Sequence, residues 1–403
     1  MLILPAMAIL LASPVAAQRP SRAQPSAPGV TAADRAAHQR MLVLDTHLDI
    51  PERWDDGQWD FGVRHRYEED GSQVDLPRMD EGGLDGGFLV IYTPQGPLTP
   101  AGYAGARDAA LVRATAIRRV LGENRARIGL ALTAGDAERL TAQHKHFAFV
   151  SMENSWPLGE DLTLLDTFYR LGVRLAGPVH FRNNQLGDSA TDTPRWHGLS
   201  PLGRQWVAEM NRLGIIIDVS HSSDDVFDQA LSLSRVPIIA SHSGPRALYN
   251  HPRNLDDARL RRLAAAGGLL MINSVYLADA DRSDARSAIE DRHKRWASLT
   301  PAERAQLLRD EAALNRIRPA GVATFETYMR SMLHAIQVMG VDHVGLGADW
   351  DGGGGVIGMR DITALPQISA RLRREGFSDA DIAKVMGGNL LRVMRQVQAG
   401  AAH

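Results

Sequence analysis

The sequence predicts an α/β protein that folds as a (β/α)8 TIM barrel. Eight short runs of apolar and β-branched residues recur along the chain, and most precede a segment with helical periodicity. This is the pattern of parallel strands joined by crossover helices. Six of the eight runs end in His, Asp or Glu, and in such a barrel the carboxyl ends of the strands form the active face. An open doubly wound sheet is the alternative, because periodicity does not show closure.

The predicted strands and helices alternate over most of the chain. The predicted strands are 41–47, 86–92, 147–153, 173–180, 214–221, 236–242, 267–273 and 343–349. The predicted helices between them, which end at or near Gly or Pro, are 108–124, 161–171, 201–213, 224–233 and 256–266. The highly charged residues 277–320 predict a helical insertion after strand seven, and residues 361–398 predict closing helices.

The N-terminal segment has the features of an export signal. Residues 2–17 are apolar, too few to span a bilayer, and end in small residues, so we predict a signal peptide over residues 1–17. Residues 18–32, rich in Pro, Ser and Ala, predict a flexible linker, which leaves 33–403 as a single catalytic barrel domain. We therefore expect an exported protein, periplasmic or secreted. A buried N-terminal helix is the alternative, since no Lys or Arg precedes the run.

Composition excludes several classes of partner and chemistry. The 45 Lys and Arg residues nearly balance the 47 Asp and Glu residues, so the net charge of −2 argues against nucleic acid or an anionic membrane as partner. The chain has no cysteine, which excludes disulfides, thiol nucleophiles and a lipid anchor on cysteine. We therefore expect no membrane anchor. Any metal must be held by nitrogen and oxygen atoms.

The strand ends supply such atoms. Strand one ends in His47-Leu48-Asp49, and the spacing of two places both side chains on one side of the strand. Strands three, five and six end in Glu153, His221 and His242. Three imidazoles and two carboxylates at one barrel mouth form a ligand set suited to Zn²⁺.

Five ligands exceed what one tetrahedral zinc ion needs, so we expect two ions. His47 and Asp49 would bind one ion, His221 and His242 the other, and Glu153 would bridge them. Two ions roughly 3.5 to 4 Å apart hold a hydroxide between them and stabilise a developing oxyanion. The remaining histidines that lie in polar helical or loop contexts are expected at the solvated surface. They are His38, His65, His144, His146, His293, His334 and His403.

Six sequence blocks in order carry a family resemblance. The blocks are DTHLDIP (45–51), SMEN (151–154), HFRNNQLGDSATD (180–192), IDVSHSS (217–223), ASHSGPRALYNHPRN (240–254) and HVGLGADWDG (343–352). They resemble the membrane dipeptidases, also called renal dipeptidases, among the amidohydrolase-like barrels. The resemblance implies a zinc-dependent dipeptidase that cleaves dipeptides, D-residue dipeptides among them, by means of a metal-bridging hydroxide. It also implies the same partition of the five ligands between two zinc ions.

The resemblance assigns roles to three further residues. It implies that His180 holds the scissile carbonyl oxygen, that Arg253 pairs with the substrate carboxylate, and that Asp349 manages the proton for the leaving amine. The expected catalytic residues are thus Asp349, His180 and the bridging Glu153, and the expected substrate-binding residues are His180, Arg253 and Asp349. Asp351 is expected to support the site or to form a turn. Alternatively, Arg253 is a surface loop residue and His180 only caps its strand.

The resemblance also bears on the type of protein. The cysteine pairs and lipid-anchor signal of the animal members are absent, which favours a bacterial secreted type, and a homodimer is plausible for this family. Two other functions stay open. One is a binuclear-metal barrel hydrolase acting on a lactone, cyclic amide or phosphoester. The other is an inactive periplasmic protein that binds peptide or zinc.

Overall fold

The computed structural model describes residues 29–401, apart from 55, 56, 58, 280, 282, 294, 296, 297 and 319–321. The predicted signal peptide, 1–17, lies outside the described residues, as does most of the predicted linker, 18–32. The first described helix begins at Ala32, where the Thr31 side chain accepts a hydrogen bond from the backbone N–H of Asp34. The predicted boundaries of the catalytic domain stay a prediction.

The described residues include nine parallel strands, all but the third of which form a closed barrel. They are β1 (Leu44–Leu48), β2 (Gly86–Tyr92), β3 (Ile128–Leu130), β4 (His146–Glu153), β5 (Val173–Ala176), β6 (Ile216–Ile217), β7 (Ile239–Ser243), β8 (Leu269–Ile272) and β9 (Val344–Leu346). One sheet has the order β1-β2-β4-β5-β6 and the other β7-β8-β9. Bridges from Asp218 to Ile239 and from Leu48 to Trp350 join the two sheets at both seams. The predicted TIM barrel is therefore confirmed, and the open sheet is wrong.

Helices cover the outside of the barrel and its mouth. They are α1 (Ala32–His38), α2 (Tyr67–Asp70), α3 (Leu76–Gly82), α4 (Pro100–Glu123), α5 (Ala134–Ala142), α6 (Leu164–Leu171), α7 (Pro201–Leu213), α8 (Asp224–Leu233), α9 (Asp257–Ala265), α10 (Asp284–His293), α11 (Pro301–Ile317), α12 (Phe325–Met339), α13 (Leu365–Arg374), α14 (Asp379–Ala383) and α15 (Asn389–Ala399). Short 3₁₀ turns are Ile50–Trp54, Trp156–Leu158, Val341–His343 and Ile362–Ala364, and Lys384–Gly388 is a π turn.

Capping explains where the helices begin. Helices α7 and α8 have the predicted bounds, and each follows a serine, Ser200 or Ser223, whose side chain accepts a backbone N–H of the first turn. The prediction for α4 was too short, because the helix already begins at Pro100, after Thr99 accepts from the N–H of Gly102. The short strand β3, which pairs only with β4, was not predicted.

The insertion after β8 is helical, as predicted, and consists of α10 and α11. It packs against α2 in the connection from β1 to β2. Arg286 of α10 is buried and donates to the Asn315 side chain of α11, which in turn lies 3.3 Å from the Tyr67 hydroxyl. The insertion therefore links two connections that lie at the mouth of the barrel.

Two histidines expected at the surface are buried. His38 lies under α13, where its ring nitrogens contact the Ser369 hydroxyl at 2.9 Å and the Gly82 carbonyl at 3.0 Å. His146 contacts the Leu84 carbonyl and Asp80, both at 3.0 Å. The prediction was wrong for these two because a polar sequence context does not show which face of an element docks. Of the rest, His65, His144, His293 and His334 are at least partly exposed, and His403 lies outside the described residues.

The buried His38 should make stability depend on pH. Burial, with a smaller contribution from the charge of Arg35, lowers the pKa of its imidazole to about 4 against the opposing hydrogen bond to the Gly82 carbonyl. Because the unfolded side chain titrates near 6.5, the stability contribution is present above that pH and is lost as the pH falls towards 4. We expect the free energy of unfolding to fall by about 3 kcal/mol over this interval.

Urea unfolding at several pH values measures this effect. His38→Gln should flatten the dependence between pH 4 and 6.5, whereas the control His144→Gln, at an exposed position, should leave it unchanged. An identical slope for His38→Gln and the wild type would contradict the assignment.

Candidate metal centre

Seven ionisable side chains converge at the carboxyl-terminal mouth of the barrel. They come from the ends of six strands, which parallel pairing brings to one edge. Each of these residues is at most 8% exposed. They are His47 and Asp49 (β1), Glu153 (β4), His180 (β5), His221 (β6), His242 (β7) and Asp349 (β9). The structure thus brings all five predicted metal ligands together with both predicted catalytic partners of Glu153.

Glu153 lies at the centre of this cluster. Its Oε1 atom is 3.1 Å from Nε2 of His221 and 3.3 Å from Nε2 of His242. Its Oε2 atom is 3.6 Å from Nε2 of His47, and Nε2 of His180 is 3.9 Å from Oε1. The two carboxylate oxygens therefore face different imidazoles.

His47 belongs to a second group of ligand atoms. Its Nε2 atom lies 3.2 Å from Oδ2 of Asp49 and 3.9 Å from Oδ1 of Asp349. Three sets of atoms could each hold an ion, and they are His47, Glu153 and His242; Glu153, His180 and His221; and His47, Asp49 and Asp349. These sets cross the predicted partition, since His47 and His242 share one of them. The partition of ligands between two ions stays a prediction.

Of the imidazoles around Glu153, those of His221, His242 and His180 are held neutral, whereas the charges of Asp49 and Glu153 outweigh burial and raise the pKa of His47 well above its usual range. Burial, with the charge of Arg253 next, holds the pKa of His221 well below its usual range, and burial together with His47 does the same for His242. Burial also lowers the pKa of His180 to about 4. A neutral imidazole offers a lone pair to a cation. Nε2 of His221 and Nε2 of His242 are only 2.9 Å apart, so this donor set fits a divalent metal.

The carboxyl groups differ in their affinity for protons. Burial alone would raise the pKa of Glu153, but the positive charge of His47 holds it well below its usual range. For Asp349, burial and the charges of Asp49 and Glu153 outweigh the effect of His47 and raise its pKa to about 8. Neighbouring carboxyl groups with pKa values driven apart are typical of acid and base roles.

Left-handed backbone conformations concentrate at this site. Six described non-glycine residues have positive φ, among them His221 at 63° and Asp349 at 66°. Asn154, next to Glu153, and Asp351 also have this conformation, at 65° and 64°. Such conformations cost free energy outside glycine and cluster at functional sites. Here they redirect the chain just after a strand ends.

Arg253 is not a surface residue. It is 3% exposed, and its guanidinium donates to the His242 carbonyl at 3.2 Å and to the Ser243 hydroxyl at 3.4 Å. It lies over the Tyr276 ring at 5.1 Å, and its Nε has no hydrogen-bond partner among the described residues. Asp351 faces away from the cluster, because it binds Nε of Arg53 at 3.0 Å.

Two buried carboxylates that the sequence patterns did not single out hold the strand ends. Asp45 accepts the backbone N–H groups of His47 at 2.9 Å and Ala348 at 3.0 Å. Asp218 accepts those of Ser220 and Ser241, both at 2.9 Å. The available signal was position, since each aspartate precedes a predicted ligand histidine by two or three residues in an apolar strand.

Comparison with known proteins identifies the family. The family model described as membrane dipeptidase, peptidase family M19, matches residues 32–403. The chain belongs to the membrane dipeptidase family. The dipeptidase tcpJ of Claviceps purpurea is 32% identical over 354 residues, which cover 85% of this chain and 74% of that protein.

Solved structures agree with this assignment. The probable dipeptidase PvdM from Pseudomonas aeruginosa is 31% identical, with a TM-score of 0.78 over 92% of this chain and 98% of that one. A metallo peptidase from Rhodobacter sphaeroides, liganded with a phosphinate mimic of the dipeptide L-Ala-D-Ala, is 26% identical, with a TM-score of 0.70 over 89% and 99%. This membrane dipeptidase family chain is therefore a metallo-dipeptidase, a hydrolase acting on dipeptides. None of its described helices has the length and apolar character to cross a membrane.

The central position of Glu153 predicts the effect of its removal. Glu153→Gln should lose most of the bound metal. Glutamine replaces one of the two carboxylate oxygens by an amide nitrogen, which does not bind a metal. Metal analysis of dialysed protein measures this loss. The control Asp351→Asn changes a buried carboxylate two residues from Asp349 that faces away from the cluster, and it should keep its metal. A Glu153→Gln variant with the full wild-type metal content would contradict the central role of Glu153.

Proposed function

We propose that this protein is a zinc dipeptidase with two zinc ions per chain. His47, Asp49 and Glu153 would hold one ion, and Glu153, His221 and His242 the other. The supporting observation is that the Glu153 carboxylate lies 3.1 to 3.6 Å from Nε2 of three imidazoles. Zinc at such a site supplies an activated water and a Lewis acid that polarises the scissile carbonyl.

The residues around the metal ligands have complementary roles. His180, neutral because burial lowers its pKa to about 4, would donate a hydrogen bond to the scissile carbonyl oxygen as negative charge develops there. Asp349, whose pKa burial raises to about 8, retains a proton near neutral pH and can pass it to the leaving amine.

Arg253 provides the selection for short substrates. Its guanidinium is buried and donates to the His242 carbonyl, and its Nε is without a partner among the described residues. A guanidinium pairs with a carboxylate through two parallel hydrogen bonds. A fixed distance between this group and the metal ligands admits a single residue with a free carboxylate after the scissile bond, as in a dipeptide, and excludes substrates that extend further at the C-terminus.

The proposed substrates include dipeptides with a D-residue at the C-terminus. The support comes from the related Rhodobacter sphaeroides metallo peptidase, whose bound ligand mimics L-Ala-D-Ala.

We also propose that the protein is exported, periplasmic or secreted as in a bacterial secreted type, because the N-terminal run is apolar. A homodimer is part of the same proposal.

A dipeptide screen with metal removed and restored tests the proposed function. Chelated protein should be inactive, and about two equivalents of zinc should restore hydrolysis of dipeptides, with no cleavage of tripeptides. Hydrolysis of a lactone, cyclic amide or phosphoester without dipeptide turnover would replace this proposal by another barrel hydrolase. Bound zinc without hydrolysis across the panel would indicate a binding protein.

Arg253→Ala should selectively impair substrates with a free carboxylate. Loss of hydrogen bonds to a charged group lowers kcat/KM by about 10- to 100-fold, and kinetics on free and C-terminally amidated dipeptides measure this. The control Arg182→Ala removes an exposed arginine two residues from His180 and should leave kcat/KM unchanged. If wild-type protein cleaves amidated and free dipeptides equally well, Arg253 does not bind the substrate carboxylate.

A further inference from the structure

A chain of buried hydrogen bonds leads away from the ring of His242. Its Nδ1 atom lies 2.8 Å from the Ser241 hydroxyl oxygen. That hydroxyl donates to Oδ2 of Asp218 at 2.6 Å. Ser241, Asp218 and His242 are 0%, 5% and 1% exposed, respectively, so water does not compete for these bonds. The opposite ring nitrogen, Nε2, faces Glu153 and His221.

The Asp218 carboxylate fixes the direction of this chain. Its Oδ1 accepts the backbone N–H groups of Ser220 and Ser241, and its Oδ2 accepts the hydroxyl of Ser241. A serine hydroxyl has one proton to donate. Within the described part of the chain, its other hydroxyl neighbour is Ser220, which is farther away at 3.4 Å. With its proton committed to Asp218, the Ser241 oxygen can only accept from His242.

We propose that Asp218 and Ser241 are positioning residues that hold His242 in the tautomer with the proton on Nδ1. In that tautomer the Nε2 lone pair points at the metal centre, and no proton has to move before a cation binds. Partners on the second nitrogen of a ligand histidine orient the ring and strengthen metal binding. This inference rests on the proposed function, because it assumes that His242 is a metal ligand.

His221 provides a contrast within the same site. Its Nε2 also faces Oε1 of Glu153, but its Nδ1 has no hydrogen-bond partner among the described residues. Of the two imidazoles, His242 is therefore the one whose tautomer is determined by side chains of the protein. The affinity with which His242 binds a metal should therefore depend on Asp218, although Asp218 itself would not contact the metal.

Asp218→Asn tests the direction of these hydrogen bonds, because asparagine has almost the same shape as aspartate. The amide oxygen can still accept the two backbone N–H groups, but the amide nitrogen would now donate to Ser241. The serine proton would then turn to Nδ1 of His242 and leave the ring proton on Nε2, where it blocks the metal. We expect the dissociation constant of zinc, measured by chelator competition, to rise by about 10- to 100-fold.

Changes at Ser241 provide a second variant and a control. Ser241→Ala removes the acceptor for Nδ1 and should also weaken zinc binding, and Ser241→Thr, which retains the hydroxyl, should restore it. The control Ser220→Ala removes a hydroxyl that accepts the His242 backbone N–H at 3.0 Å but does not touch its ring. It should change zinc affinity less than Ser241→Ala, even if both variants lose similar stability to urea.

Nitrogen NMR of the metal-free protein, labelled in histidine, reads the tautomer directly. His242, assigned by a His242→Gln variant, should show a protonated Nδ1 in the wild type and a protonated Nε2 in Asp218→Asn. A protonated Nε2 in the wild type, or wild-type zinc affinity in a folded Asp218→Asn, would overturn the inference. A wild-type protein that binds no zinc would instead overturn the proposed function.

Discussion

The structure depends on one electrostatic constraint, which is that a carboxylate is buried among imidazoles at the end of a barrel. Burial of an unpaired charge is costly, so a buried carboxylate needs cations or hydrogen-bond donors around it. Glu153 has His47, His221 and His242 around it at 3.1 to 3.6 Å. Burial holds His221 and His242 neutral, and His47, whose pKa is raised well above its usual range, faces Asp49 as well as Glu153. A divalent cation is therefore a partner that this arrangement suits.

Close packing of three strands inside the barrel brings the ligand histidines near one another. Strands β1, β7 and β9 approach one another where the Thr46 hydroxyl lies within hydrogen-bond distance of the carbonyls of both Ser241 and Leu346. At Gly347 a Cβ atom would lie 1.9 Å from the Ser241 carbonyl oxygen, so only glycine allows this approach. The His47 and His242 rings consequently lie with their centroids 3.8 Å apart, although they come from strands that are distant in sequence.

A second layer of buried aspartates makes the strand ends rigid. Asp45 ties β1 to the end of β9 through Ala348, and Asp218 ties the end of β6 to β7 through Ser241. These are the two seams at which the barrel closes by isolated bridges rather than by long ladders. The same carboxylates that close the barrel therefore also set the position of the ligand histidines, so the fold and the site are held by shared hydrogen bonds.

The sequence by itself determined which elements form and which strand ends carry ligand atoms. Alternation of apolar runs with helical segments is a local property, as is the presence of a serine cap before α7 or α8, and both can be recognised without a structure. The ends of parallel strands must share one edge, so the gathering of His47, Glu153, His221 and His242 followed from topology alone. Family resemblance added Arg253, which no local pattern singled out, and assigned a role to Asp349, which already stood at the end of a predicted strand.

Only the tertiary structure decided which further residues are buried around the site and how strongly the site residues bind protons. The burial of His38 under α13 and of His146 beside Asp80 depends on which face docks, and a polar sequence context carries no information about that. The roles of Asp45 and Asp218 depend on bonds to backbone groups of other strands. The proton affinity of Asp349 depends on Asp49 and Glu153 nearby. These properties arise from distances between residues far apart in the chain, and such distances exist only once the barrel has closed.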